Sequence, residues 1–155
     1  MFLAIIALVV IVLDQATKVF IRLSMASGDS IPVIPGVLHI TYVKNPGAAF
    51  GMLPNHQFIF LIVSVLVIMI TLSYYWFARP VDKLSKVSFG LVLGGAFGNL
   101  IDRVYLGKVT DFIDFRIWPV FNVADSAIVI GIGLVILMLL SSARKEVVQA
   151  KQPSS

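Results

Sequence analysis

Two aspartates, Asp111 and Asp125, could together activate a water molecule for hydrolysis. They are fourteen residues apart, which is just enough for an extended segment carrying Asp111 to fold back over the start of a helix carrying Asp125. Two carboxylates about 3 Å apart share one proton, because both cannot be ionised at that distance. One carboxylate is then a base and the other an acid beside the same water, as in the aspartic proteases.

The same stretch also has a purely structural interpretation. Asn122 is followed three residues later by Asp125, a spacing that matches a helix capping box, and a carboxylate suits the positive end of a helix dipole. Taken alone, this pattern favours a cap. The presence of Asp111 upstream is what favours chemistry.

Further polar residues interrupt the apolar runs. Asp14 and Lys18 are four apart, the spacing at which they meet on a helix face, so we expect an internal ion pair that is compatible with a supporting role at a site. Asn99 and Asp102 are three apart and share a helix face. The adjacent Arg103 could neutralise a neighbouring acid.

The sequence offers little for metal or thiol chemistry. His39 and His56 lack other ligands at metal spacing, so we expect both to be solvated and predict no zinc site. The chain has no cysteine, which excludes disulfides and cysteine proteases. No cofactor is predicted.

These residues must be positioned by helices that cross a membrane. The chain of 155 residues is 59% hydrophobic, against about 45 to 50% for a soluble domain, and its mean hydropathy is +0.98. This composition therefore predicts that residues 1–155 form one all-α integral membrane domain with four transmembrane helices. The predicted spans are 2–23, 58–77, 87–101 and 120–140.

The connections predict a topology and a small sheet. Basic residues in the loop 78–86 and the tail 141–155 favour the cytoplasm for both termini, which leaves 24–57 and 102–119 outside. Residues 37–43 partly alternate apolar with polar, which predicts a small β-rich segment between the first two helices. The stretch 109–115 reads as a further extended segment.

Glycines and charges indicate how the chain packs and what it meets. Gly90, Gly94 and Gly98 recur every four residues and predict close helix packing. The net charge of +4 is spread along the chain, so membrane lipids are expected partners and nucleic acid is not.

Five blocks, in order, resemble the lipoprotein signal peptidase (signal peptidase II) family. The blocks are residues 14–18, 45–51, 94–103, 109–112 and 121–125. The resemblance implies a bacterial inner-membrane aspartic endopeptidase, a target of the cyclic peptide globomycin. It implies cleavage of diacylglyceryl-modified prolipoproteins immediately before the lipidated cysteine, at the extracytoplasmic face.

The resemblance also implies roles for particular residues. Asp111 and Asp125 correspond to the catalytic pair, whereas Asp114 falls outside the motif. No metal is implied, and we expect a monomer. The residues implied to bind substrate or support the site are Asp14, Lys18, Asn45, Gly47, Asn99, Asp102, Arg103 and Asn122.

Two rival functions follow from the residues alone. Intramembrane acids with a lysine also suit a small proton-coupled transporter or channel. A non-catalytic membrane scaffold is the third possibility, and it predicts that Asp111 and Asp125 are dispensable.

Overall fold

Four long helices dominate the computed structural model, which describes residues 1–47, 57–78 and 82–150. Each helix contains a stretch long and apolar enough to cross a membrane, which confirms the predicted fold class. The helices are α1 (Phe2–Ser24), α2 (Gln57–Ala78), α3 (Lys83–Leu106) and α4 (Val123–Ala150).

The helix ends follow caps rather than the limits of the apolar runs. α3 begins at Lys83, four residues earlier than predicted, because the Asp82 carboxylate accepts hydrogen bonds from the backbone N–H (2.7 Å) and hydroxyl (2.6 Å) of Ser85. It ends where Gly107 turns left-handed at φ 69°. Most of the described part of the predicted loop 78–86 is therefore helical; 79–81 lie outside the described residues.

The start and end of α4 also differ from the prediction. The helix begins at Val123 instead of residue 120, one residue after its cap Asn122. It continues to Ala150, so most of the predicted tail 141–155 is helical, and 151–155 lie outside the described residues.

α3 contacts each of the other three helices, and its glycines allow the close approach. A Cβ built on Gly94 would lie 2.6 Å from the Cβ of Val10 in α1, and one on Gly98 would lie 2.5 Å from the Asp14 carboxylate. Gly95 faces α4 instead, directly against the carbonyl oxygen of Ala124. These glycines therefore let α3 pack closely against α1 on one side and α4 on the other.

We expect Gly95→Ala to lower the free energy of unfolding by about 1 to 3 kcal/mol, because the new methyl group overlaps backbone that cannot move away. Gly133→Ala in α4 is the matched control, since its Cβ would meet nothing within 4 Å. It should be neutral or stabilising by up to about 1 kcal/mol. Thermal unfolding in detergent measures both, and equal behaviour of the two variants would contradict this packing.

A three-stranded antiparallel sheet sits at the end of the bundle where α1 and α3 finish and α4 begins. Its strands are β1 (Ser30–Ile34), β2 (Leu38–Asn45) and β3 (Val109–Asp114), in that spatial order. The predicted sheet is confirmed, but its third strand comes from between α3 and α4. β1 was not predicted because residues 29–36 are rich in turn formers, Pro32 among them. As an edge strand, β1 tolerates the missing N–H of that proline.

Candidate active site

β3 brings Asp111 to the beginning of α4. The strand pairs with β2 on one side, where Asp111 is opposite Val43. On the other side Ile113 exchanges backbone hydrogen bonds of 2.8 and 3.0 Å with Phe121. The chain therefore folds back as predicted from the spacing of Asp111 and Asp125.

Two asparagines link the two carboxylates. The amide of Asn122 donates to Asp111 Oδ1 at 2.6 Å and to Asn99 Oδ1 at 3.1 Å. The amide of Asn99 in turn donates to Asp125 Oδ1 at 2.7 Å. Asp111 and Asp125 thus belong to one hydrogen-bonded network built from β3, α3 and α4.

The capping box is also present. The backbone N–H of Asp125 donates to Asn122 Oδ1 at 2.9 Å, and the backbone N–H of Asn122 donates to Asp125 Oδ2 at 3.2 Å. The structural interpretation is therefore right, and it fixes the Asp125 carboxylate rather than competing with a site. Oδ2 serves the cap and Oδ1 meets Asn99.

Asp111 is almost completely buried, with 2% of its surface exposed. Burial, reinforced by the negative charge of Asp125, raises the pKa of Asp111 to about 7. Hydrogen bonds from Asn45 (Nδ2 to Oδ2, 2.8 Å) and Asn122 oppose that rise because they stabilise the charged form. Asp111 can therefore hold a proton near neutral pH.

Gly47 holds Asn45 in place. Its backbone N–H donates to Asn45 Oδ1 at 2.9 Å, which leaves the Asn45 amide group free to face Asp111. Gly47 adopts φ 132°, a conformation that favours glycine, and a Cβ there would overlap the ring of Phe60. The rest of this motif, residues 48–51, lies outside the described residues.

Lys18 and Asp14 form the predicted ion pair. Lys18 Nζ lies 2.8 Å from Asp14 Oδ2, and both side chains are fully buried. Lys18 also donates to Asn99 Oδ1 at 2.9 Å, while Asp14 Oδ1 accepts the backbone N–H of Ala124 at 2.9 Å. The pair therefore holds Asn99 and the first turn of α4, next to Asp125.

Asp102 is held by residues that were not predicted to belong to the site. Its Oδ2 accepts the backbone N–H of Thr110 at 2.8 Å, next to Asp111. Its Oδ1 lies 3.4 Å from both Arg22 Nη1 and Gln15 Nε2. The sequence could have predicted that Arg22 belongs to this site, because it lies four residues after Lys18 and therefore on the same helix face as Asp14 and Lys18.

Arg103 bonds to α2 rather than to an adjacent carboxylate, so its expected neutralisation of an acid acts through space. Its Nη1 donates to Ser64 Oγ of α2 at 2.9 Å, and it forms no ion pair within the described ranges. One residue turns a helix by about 100°, which aims Arg103 away from the partners of Asp102. Its charge still acts through space on Asp125 and Asp111.

His39 is partly buried in β2, contrary to the expected solvated position. Its Nδ1 is 3.1 Å from Ser30 Oγ, and its buried Nε2 has no hydrogen-bond partner among the residues that the structure describes. His56 lies outside the described residues. Among the described residues, no three His, Asp or Glu side chains are placed to hold a metal ion.

A cavity of ≈ 450 Å³ opens beside Asp125. Its walls are mainly apolar, and Val129 and Ile130 expose more than half of their surface on α4. An apolar chain could therefore lie along α4 and end at the carboxylate. The lining residues are Trp118, Phe121, Asp125, Ser126, Val129 and Ile130.

Comparisons with known proteins agree on one family. The family model described as Signal peptidase (SPase) II matches residues 6–141. The lipoprotein signal peptidase of Halothermothrix orenii is 50% identical over 135 residues, covering 87% of this chain and 92% of that protein. That of Pelotomaculum thermopropionicum is 50% identical over 145 residues, covering 94% and 95%.

Two solved structures of bacterial membrane enzymes, both determined by the in meso method, have the same fold. One, at 2.3 Å resolution, has a TM-score of 0.85 and 36% identity, covering 97% of this chain and 92% of the other. The second, at 1.9 Å, has a TM-score of 0.80 and 39% identity, covering 88% and 90%. The sequence matches extend through every element of the site, and we conclude that the chain belongs to the signal peptidase II family of membrane peptidases.

Proposed function

We propose that this protein is an aspartic endopeptidase that removes the signal peptide from diacylglyceryl-modified prolipoproteins, immediately before the lipidated cysteine. The names of the relatives support the substrate class. The observation that carries the mechanism is the network in which Asn122 and Asn99 join Asp111 to Asp125. Activation of a water molecule requires two carboxylates in one network, one of them ionised and the other protonated. The buried Asp111 and the partly exposed Asp125 meet the geometric part of this requirement.

In the proposed reaction Asp111 is the acid and Asp125 is the base. Asp125 takes a proton from a water molecule, whose oxygen attacks the scissile carbonyl carbon, while protonated Asp111 donates to the carbonyl oxygen. The resulting tetrahedral diol collapses when its C–N bond breaks: Asp125 gives the proton it took from water to the nitrogen, and Asp111 takes back a proton from a diol hydroxyl. The products are a signal peptide with a new carboxylate and a lipoprotein with a free amino terminus.

The cavity beside Asp125 supports access from the bilayer. A lipid-anchored substrate cannot leave the membrane, so its apolar part must reach the site sideways, and the exposed apolar surface of α4 allows this. We place the site at the extracytoplasmic face, with both termini in the cytoplasm. Labelling of Ser27→Cys in the exposed turn before β1 by a membrane-impermeant thiol reagent tests that side: we expect labelling from outside the cell, and labelling only after the cytoplasm is opened would contradict it.

The distribution of ionisable groups argues against the rival transporter. Residues 1–13, 57–78, 87–101 and 126–143 contain no Asp, Glu, Lys, Arg or His. The intramembrane acids instead gather around the start of α4, where Asp14 binds Ala124. A relay across the membrane needs titratable groups through its depth, whereas a hydrolytic site needs them in one place.

The direct test of function is cleavage by the purified protein in detergent. We expect a diacylglyceryl-modified prolipoprotein to yield the two products, identified by mass, and the same precursor without its lipid to remain uncut. Cleavage at another bond, or equal cleavage of the unlipidated precursor, would contradict the proposed specificity.

We expect kcat/KM to fall as the pH rises through about 7, the pKa of Asp111. The pKa is raised from 3.8, so Asp111 is protonated below about 7 and loses its proton above it. Since donation to the carbonyl requires that proton, activity is present on the acid side and lost on the alkaline side. A pH profile of initial rates at low substrate concentration measures this fall in kcat/KM, which is the alkaline limb of the profile.

Asn45→Leu tests the origin of that limb. The Asn45 amide stabilises the ionised form of Asp111, so its loss raises the pKa further and moves the limb to higher pH. Thr41→Val, on the same strand but bonded to Asp114, is the control and should leave the limb in place. A limb unmoved by Asn45→Leu would contradict the assignment of the acid to Asp111.

A further inference from the structure

A second cavity, of ≈ 340 Å³, lies on the face of the sheet away from Asp111. Successive side chains of a strand point to opposite faces, so Thr110 faces this cavity whereas Asp111 faces the asparagine network. The cavity therefore opens on the other face of the sheet from Asp111, although it shares Arg22 and Thr110 with the residues that hold Asp102. It is lined by Arg22, Tyr42, Lys44, Leu106, Lys108 and Thr110.

Three of the lining residues are cations supplied by three different parts of the chain. Arg22 Nη1 lies 3.0 Å from Thr110 Oγ1 and 3.4 Å from Asp102 Oδ1, so this guanidinium is already oriented. Lys44 Nζ lies 5.8 Å from the centre of the Tyr42 ring. The cavity is thus lined by an oriented guanidinium and by lysines whose side chains are free to move.

These charges are not balanced by nearby acids. Asp102 is the carboxylate that meets Arg22, and it also lies 3.6 Å from Lys18. Lys44 and Lys108 form no ion pair with any carboxylate in the described part of the chain. The cavity therefore carries two positive charges without counter-ions, which favours an anionic occupant.

The cavity also lies beside the ends of two helices that are long and apolar enough to cross a membrane. Arg22 is two residues from the end of α1, and Leu106 is the last residue of α3. The adjacent Leu23 is 83% exposed and Leu106 is 50% exposed, so apolar surface that faces lipid borders the cations. A ligand that matches both the cations and the neighbouring apolar surface has an anionic head group and an apolar body.

We propose that this cavity binds the phosphate group of an anionic phospholipid, with Arg22, Lys44 and Lys108 as its ligands. A guanidinium fork suits phosphate oxygens, and flexible lysines add point charges. The volume lies within the roughly 300 to 1,000 Å³ range of small-molecule sites. Free phosphate would make the same contacts with the cations, but it would not cover the exposed Leu23 and Leu106.

Native mass spectrometry of the detergent-purified protein tests the proposal. Phosphatidylglycerol is titrated against phosphatidylcholine, whose head carries a compensating positive charge. We expect tighter retention of phosphatidylglycerol by wild type and a loss of affinity of about tenfold or more in Lys44→Gln/Lys108→Gln. Lys44→Arg/Lys108→Arg keeps both charges and should retain the preference, which separates binding from folding.

The matched control is Lys83→Gln/Arg144→Gln, which removes two exposed charges at the opposite end of the helices. It should retain phosphatidylglycerol like wild type, and an equal loss there would show an effect of net charge and overturn the site. Unchanged retention in Lys44→Gln/Lys108→Gln would overturn it too. Competition by inorganic phosphate at concentrations comparable to the lipid would assign the cavity to soluble phosphate and overturn the lipid assignment.

Discussion

Asp111→Asn and Asp125→Asn should each lower kcat for prolipoprotein cleavage by about 10² to 10⁴-fold. An amide at either position can keep a hydrogen bond to its asparagine neighbour but can neither take a proton from water nor deliver one to the carbonyl oxygen. Each substitution therefore removes one half of the proton transfer while preserving shape. Rates of product formation under single-turnover conditions measure the loss without interference from product release.

The matched control for these variants is Asp114→Asn. It makes the same chemical change three residues along β3, where the carboxylate meets Thr41 and Arg116 instead of the asparagine network. We expect it to retain activity close to wild type. The double variant Asp111→Asn/Asp125→Asn should lose little more than either single variant, because both residues serve one step. Substantial activity in either single variant would reject the pair.

Lys18→Met should lower the free energy of unfolding by about 3 to 5 kcal/mol. Lys18 is fully buried between Asp14 and Asp102, and its removal leaves Asp14 as a buried carboxylate without its counter-ion. It also removes the hydrogen bond that holds Asn99 against Asp125, so activity should fall as well. Unfolding by titration with a denaturing detergent in mixed micelles gives the free energy.

Two variants isolate the buried charge. Lys83→Met removes an exposed lysine at the start of α3 and should change the free energy of unfolding by less than about 0.5 kcal/mol. Asp14→Asn/Lys18→Met removes both charges of the pair and should cost less than Lys18→Met alone, since no unpaired charge remains there. If Lys18→Met behaves like Lys83→Met, the pair does not stabilise the fold.

Local sequence patterns were enough to predict much of the site's geometry. The four-residue spacing of Asp14 and Lys18 predicted a contact within one helix turn, and the structure has it. The fourteen-residue spacing of Asp111 and Asp125 predicted the fold-back that Ile113 and Phe121 produce. These features depend on distances along a single segment, which sequence spacing determines.

Contacts between distant segments could not be predicted in the same way. The pairing of β2 with β3 joins Asn45 to the strand of Asp111 across the whole of α2 and α3. Arg103 meets Ser64 because helix rotation, rather than charge, decides which neighbour it reaches. Residues 29–36 did not predict β1 because they are rich in turn formers such as Pro32, and a proline is tolerated in a strand mainly at an edge or a bulge.

The most direct test of the proposed chemistry is a crystal structure with a substrate peptide whose scissile carbonyl is replaced by a secondary alcohol. The hydroxyl mimics the attacking water in the tetrahedral diol. We expect its oxygen to lie within about 2.5 to 3.0 Å of a carboxylate oxygen of both Asp111 and Asp125. A hydroxyl bound by only one of them, or placed away from both, would contradict the proposal that the two aspartates act on one water.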